Sequence, residues 1–147
     1  MTELRWLGVG ETDEVLVAAG LFDHPPSPEW TDDFLARPGH HLCVAYVDGV
    51  AAGFVTGVEM VHPDKGAEML LYELSVDEAF RGRGIGRELV TALAERAAEL
   101  GCHGMWVLTD PDNEAGRRTY ESAGATGRGP QLMLDWHFAG TDRPEGA

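Results

Sequence analysis

The sequence is short of positive charge: 11 lysines and arginines stand against 25 aspartates and glutamates in 147 residues, a formal net charge of −14. Binding a phosphodiester backbone takes clustered Lys and Arg, so no nucleic-acid partner is expected. Such a charge suits a cationic small molecule or, more simply, solubility. Cysteine is rarer still. Cys43 lies in an apolar run and Cys102 beside a glycine; together they make neither a disulfide framework nor a metal-ligand spacing, so two free thiols and no metal are expected. No apolar run approaches the roughly 18–20 residues of a membrane span, and the opening M-T-E-L-R-W-L lacks the basic and apolar regions of a signal peptide. The expectation is a cytoplasmic protein with no membrane partner. The length, with 44% apolar residues, suffices for one buried core and not two. Residues 1–138 therefore read as a single domain and 139–147, which lack periodicity, as a mobile tail.

What is present centres on L-S-V-D-E-A-F-R-G-R-G-I-G-R, from Leu74 to Arg87. An apolar alternation, Tyr72, Leu74 and Val76, runs into an acidic turn, then into a loop with Gly82, Gly84 and Gly86 at every second position, then into an amphipathic helix. Glycine lets backbone N–H groups turn toward a ligand, and a helix start adds unpaired N–H groups and a favourable dipole. The scarce arginines gather here as Arg81, Arg83 and Arg87, with Arg117 and Arg118 downstream. Strand, cradle and helix in succession predict a site for a phosphorylated cofactor. The cradle is neither a Walker loop, which needs Lys after its glycines, nor a dinucleotide fingerprint, because Arg87 stands where the last glycine of G-x-G-x-x-G belongs.

Around this element the chain reads as a strand at Leu4–Leu7, a helix from Thr12, as cap, to Ala19, a loop at Asp23–Pro28 that its prolines keep irregular, and a second helix at Glu29–Ala36 opened by Ser27 or Pro28. These helices and their loop make a natural substrate-side lid. Strands at His41–Val47 and Val50–Val61 flank the hairpin signal Asp48-Gly49, and a third follows at Glu68–Val76, an antiparallel meander. Gly53 and Gly57 predict a bulge or a close backbone approach. Ile85, Leu89, Leu93, Ala97 and Leu100 mark the buried stripe of a helix that Gly101 ends. Met105–Leu108 reads as a strand parallel to Leu74–Val76, Asn113 as the cap of a helix through Ser122 closed by Gly124, and Gln131–Phe138 as a last strand. That edge, with Trp136 and Phe138, predicts a homodimer contact.

Two motifs at the right separation resemble those of the GNAT superfamily of acyl-CoA-dependent N-acetyltransferases. The first is Leu74-Ser75-Val76 followed by Arg81-Gly82-Arg83-Gly84-Ile85-Gly86; the second is Asn113, Gly116, Tyr120 and Gly124, with Gly116 where alanine is more usual. With the order of elements, the resemblance covers nearly the whole chain. It implies an α/β GNAT fold, a central mixed sheet of about six to seven strands flanked by about four helices. It also implies acetyl-CoA as acetyl donor, with its pyrophosphate on the N–H groups of Gly82–Arg87 and charge from Arg81 and Arg83. The pantetheine arm would lie along the strand end at Leu74 and Val76, where a splay leaves the strand edge unpaired, with Asn113 bonding the arm from the far side. Arg117 is a further candidate for the cofactor's phosphate.

The resemblance makes Tyr120 the general acid that protonates the leaving thiolate. An attacking alkyl amine, with an ordinary pKa of about 10.4, is protonated at neutral pH and needs a base. Glu73 is the candidate, on the face opposite Tyr72 and Leu74; His24 and His62, in the substrate loops, are others. Asp110 and Asp112 are candidates for binding a cationic substrate, as is Glu73. L-F-D at Leu21–Asp23, the run Tyr72–Gly86 and the turn Asp110–Asp112 look most like the aminoglycoside 3-N-acetyltransferases of GNAT type. The resemblance thus implies direct acetyl transfer, in a ternary complex, to a primary amine of a small polycation such as an aminoglycoside. A polyamine, a metabolite amine or a protein N-terminus is the alternative acceptor, and a non-catalytic acyl-CoA-binding module the alternative function.

Overall fold

The structure, a computed structural model, describes residues 1–141. One sheet runs in the order β1 (Thr2–Leu7), β2 (His40–Val47), β3 (Val50–His62), β4 (Gly66–Val76) and β5 (Met105–Trp106). The first three pairings are antiparallel, and β4–β5 is parallel. Four helices flank the sheet: α1 (Thr12–Val17), α2 (Pro28–Ala36), α3 (Ile85–Glu99) and α4 (Glu114–Ser122). Class and order agree with the sequence, but among the described residues the sheet has five strands, fewer than expected. The difference lies at the C-terminal end. Residues 131–138 form no strand, and Leu132, Met133, Leu134, Trp136 and Phe138 are all exposed. Of the expected tail, residues 139–141 form an exposed turn and 142–147 lie outside the described residues.

Strand alternation sorts the core into two layers. Leu42, Val44 and Phe54 face α1 and α2 with Val15, Leu21 and Leu35; Cys43, Ala45, Val55, Met69 and Leu71 face α3 with Leu89 and Leu93. The two strand glycines serve α3. A Cβ at Gly57 would stand 2.7 Å from a Leu93 methyl, so that glycine is a notch for α3; one at Gly53 would stand 2.7 Å from the Ser75 carbonyl oxygen of the neighbouring β4 and 3.3 Å from a Leu89 methyl, so Gly53 admits both the strand and the helix. Local signals set most boundaries. Asp48 and Gly49 both have positive φ, as a tight two-residue hairpin turn demands. The Ser27 hydroxyl caps α2 by accepting from the Trp30 N–H, with Pro28 at the first helical position. The cap of α1 is Glu11 rather than Thr12, whose hydroxyl bonds Asp32 of α2 instead, and α1 stops at Val17.

Candidate active site

Beyond Leu70, β4 loses its partner on one side. β5 pairs with it only through Met69–Met105 and Leu70–Trp106, and the expected strand residues Val107 and Leu108 form no strand, Val107 packing against the α3-side core instead. The other edge of β4 stays paired with β3 as far as Val76. Residues 71–76 thus present an open backbone edge, the splay the sequence implied. The side chains of Leu74 and Val76 pack into the α3 layer, and what they offer a ligand is their backbone.

The open edge leads into the glycine loop. Gly82 and Gly84 have φ of 78° and 81°, a conformation that side chains with a Cβ rarely adopt. Gly84 is the residue before α3 and supplies no side-chain cap. None of the N–H groups of Gly82–Arg87 donates to another described residue, the first inward bond being Glu88 N–H to the Gly84 carbonyl. Gly86 serves packing: a Cβ there would come 3.1 Å from the Thr119 methyl of α4. Ile85 anchors the helix start in the core. The arginines divide. Arg81 Nε donates to the Val76 carbonyl at 3.2 Å, and the Arg83 guanidinium lies over the Phe80 ring, 5.2 Å from its centroid. Arg87 instead lines a depression of about 450 Å³ between α3 and β1, so it offers the loop its N–H and not its charge.

On the α3 side of the splay, α4 brings Asn113 and Tyr120. Asn113 caps its helix, with Oδ1 accepting from Gly116 N–H at 3.1 Å and Nδ2 donating to the Thr109 hydroxyl at 3.0 Å. Gly116 has a physical reason: a Cβ there would stand 2.4 Å from Asn113 Nδ2. Glycine costs helix propensity but leaves room for the cap. Tyr120 is partly buried against the α3 layer, its hydroxyl makes no hydrogen bond to another described residue, and burial raises its pKa above the ordinary phenol value. It is a neutral donor at physiological pH. Arg117 Nη1 donates to the Pro111 carbonyl at 3.0 Å. Asp110 and Asp112 are exposed on the loop before α4, and no contact joins either to Glu73.

Glu73 lies on the opposite face of the sheet from Tyr120. In the register, Thr56 of β3 pairs with Glu73 and Gly57 with Leu71, so Tyr72 is an extra residue in β4, a β-bulge. The expected alternation put Tyr72 and Leu74 together opposite Glu73. The bulge takes Tyr72 out of the count and leaves it exposed, while Leu71 and Leu74 both face α3. Glu73 shares its face with Phe54 and Thr56, under the loop between α1 and α2. Phe22 stacks on Phe54 with ring centroids 4.1 Å apart, which pins the loop where it delivers Asp23 and His24. Partial burial raises the pKa of Glu73; the Asp23 carboxylate adds to the shift and His24 opposes it. His62 sits at the distant end of β3, against Asp64. Sequence reading missed Thr56, whose alternation marks it only as an inward position, and missed that Asp23 adjoins Glu73.

An open strand edge, a loop of unpaired N–H groups, a neutral phenol on one face and a raised carboxylate on the other suit acyl transfer from a phosphorylated thioester to a base-activated nucleophile. Residues 9–125 match the Acetyltransferase (GNAT) family. The chain is 36% identical over 123 residues to the L-2,4-diaminobutyric acid acetyltransferase of Streptomyces coelicolor, covering 80% of itself and 66% of that protein. It is 27% identical over 108 residues to aminoglycoside N(6')-acetyltransferase type 1 of Salmonella typhimurium, covering 69% and 74%. The chain spans about half to two thirds of the length of the diaminobutyric acid acetyltransferases it matches. In fold it is similar to an aminoglycoside acetyltransferase from an uncultured soil metagenomic sample (TM-score 0.85, 18% identity, 93% and 96% covered). It also resembles an aminoglycoside N-acetyltransferase solved with CoA (TM-score 0.77, 19% identity, 94% and 96% covered). With a match that takes in the splay, the glycine loop and α4 alike, the chain belongs to the GNAT acetyltransferase family.

Proposed function

We propose that this protein transfers an acetyl group from acetyl-CoA to a primary amine of a small cationic molecule, by direct attack in a ternary complex. The observation that carries this reading is the open edge of β4 at residues 71–76, continuous with the unpaired N–H groups of Gly82–Arg87 and flanked by Glu73 and Tyr120 on opposite faces. That edge fits an amide-bearing arm and the loop fits a pyrophosphate. When bound, acetyl-CoA supplies an acyl thioester. Glu73 takes a proton from the incoming ammonium, freeing the lone pair for attack, and Tyr120 gives its phenolic proton to the departing sulfur. The raised pKa of Glu73 brings a carboxyl closer to the operating pH, where a base works best.

For the acceptor, the neighbourhood of Asp23 and Glu73 favours a molecule carrying more than one amine, one held as a cation while another reacts. A compact diamine of the diaminobutyrate kind comes first, supported by the 36% identity over 80% of the chain. An aminoglycoside, including one acetylated at its 3-amine, is the second reading, supported by the run Tyr72–Gly86 and the charge of −14. The test is thiol release from acetyl-CoA with diaminobutyrate, aminoglycosides bearing 3- or 6'-amines, polyamines and an N-terminal peptide. Turnover of diaminobutyrate above the rest is expected. Acceptance of peptide alone rejects a small acceptor, and acetyl-CoA binding with no turnover leaves a non-catalytic acyl-CoA module.

The same reading includes a homodimer. Each copy carries an exposed, largely apolar segment, residues 131–138, and a sheet edge at β5 with Trp106 and Leu108 exposed, so two copies can supply each other's missing strand. Light scattering should give twice the monomer mass, and Trp136→Ser with Phe138→Ser should halve it. A monomeric wild type rejects the arrangement.

A further inference from the structure

Thr56 Oγ1 is a buried side-chain polar atom with no hydrogen-bond partner among the described residues, on a residue only 6% exposed. A buried hydroxyl without a partner is destabilising, and valine, of the same shape and a better strand former, would fit β3 without that cost. The placement of the hydroxyl is specific. Thr56 stands directly across from Glu73 in the β3–β4 register, where facing Cβ atoms lie about 4.5–5.5 Å apart. Facing side chains at that separation can bond directly, yet the Thr56 hydroxyl bonds no described residue, so a link between it and the Glu73 carboxylate would run through a solvent molecule. The bulge at Tyr72 creates the pairing: in a regular ladder with Gly57 opposite Leu71, Thr56 would face Tyr72.

We propose that Thr56 is a positioning residue for Glu73, its hydroxyl holding the solvent molecule through which the proton of the acceptor ammonium reaches that carboxylate. A threonine hydroxyl both donates and accepts, so it orients such a molecule without competing for the proton. The N–H bond of the ammonium breaks, its proton passes to the solvent oxygen, and a proton of that molecule passes to the Glu73 carboxylate, leaving the amine lone pair free. The charged groups that reach Glu73 are Asp23 and His24 on the loop above it. β3 faces it with Phe54 and Thr56, neither of which titrates in this range, and β5 stops pairing with β4 at Leu70. Thr56 is therefore the neutral polar partner in a surrounding that otherwise repels or attracts by charge. The inference rests on the acetyl-transfer reading of the site.

The experiment compares Thr56→Val, Thr56→Ser and Glu73→Gln with wild type, using L-2,4-diaminobutyrate as acceptor. Thr56→Val should keep or raise the melting temperature and leave acetyl-CoA affinity unchanged. It should lower kcat by about tenfold, the scale of a slightly misplaced reacting group, and move the acid limb of the pH–rate profile to higher pH. Thr56→Ser should restore both. In the free protein, carbon-detected NMR should show the Glu73 carboxyl titrating higher in Thr56→Val than in wild type or Thr56→Ser, a readout that needs no turnover. An unshifted Glu73 titration, or wild-type kcat and acid limb in Thr56→Val, overturns the role of Thr56. Joint loss of stability and activity that Thr56→Ser does not rescue does the same, in favour of packing. If the titration shifts as expected but Glu73→Gln keeps the acid limb, Thr56 tunes Glu73 while the base assignment fails.

Discussion

Along one edge β4 pairs with β3 from Gly66 to Val76, whereas along the other it pairs with β5 at Met69 and Leu70 alone. The closed edge is backed by buried apolar side chains and by the glycine notches that admit α3; the open edge has exposed Trp106 and Leu108 beside it. One strand therefore separates two tasks. Burial on the closed side supplies stability, and the open side leaves backbone unpaired, where the proposed cofactor arm would lie. The cost of unsatisfied N–H and C=O groups is tolerable there because water reaches them until a ligand does.

Four measurements test that division. The largest effect is expected from Leu93→Ala, which empties the space above Gly57 on the closed side: a loss of about 2–5 kcal/mol in denaturant unfolding. Leu108→Ala, beside the open edge and 59% exposed, should stay within about 0.5 kcal/mol. Equal losses would erase the distinction. Next, acetyl-CoA at a hundred times its dissociation constant should stabilise the fold by about 2.7 kcal/mol, read as a rise in melting temperature. No shift at millimolar cofactor would remove the donor assignment. Tyr120→Phe should cut kcat by more than about tenfold with cofactor affinity nearly intact, the pattern of a contact made in the transition state; equal loss in both would make Tyr120 a packing residue.

The smallest effect concerns Glu73. Its pKa is raised in the fold, so the folded state binds more protons than the unfolded one between the ordinary carboxylate range and the raised value. Stability therefore falls as pH rises through that window and stays lower above it. Glu73→Gln should be slightly more stable than wild type at neutral pH, by about 1 kcal/mol at most given its partial exposure, and equal to it in acid. Activity runs the other way, falling in wild type as pH drops through the raised value. A variant with wild-type stability at every pH would sink the claim that the site holds this carboxylate against its preference.

The closed side was the more legible in sequence. The stripe Ile85, Leu89, Leu93 and Ala97, the notches at Gly53 and Gly57, the turn Asp48-Gly49 and the caps Ser27 and Asn113 are local signals, each set by residues near one another in the chain. The glycine loop was legible for the same reason. The open side depends on pairing, which alternation does not encode. Val107 and Leu108 are apolar enough for a strand yet leave the sheet, and the alternation in residues 131–138 says that the segment can be half-buried without naming what would bury it. The bulge at Tyr72 is invisible until the register with β3 is known, and with it the pairing of Thr56 and Glu73. Gly116, an oddity in sequence, makes sense only once the Asn113 side chain is seen filling the space above it.

The extra residue at position 72 acts on β4 much as a frameshift acts on a message. Upstream of it, odd positions (Met69, Leu71) are read as interior; downstream, even ones (Leu74, Val76) are, and the odd Glu73 is released to the other face. Were the same residues drawn into a regular ladder, with Tyr72 opposite Thr56, the meaning of every later residue before the glycine loop would reverse. The carboxylate would be buried against α3, and two aliphatic side chains would turn toward the acceptor. Removing Tyr72 altogether, by contrast, would straighten the strand and leave each later side chain on its present face. Parity, corrected by one exposed tyrosine, is what lets a single strand be core at its beginning and, in the proposed reaction, chemistry at its end.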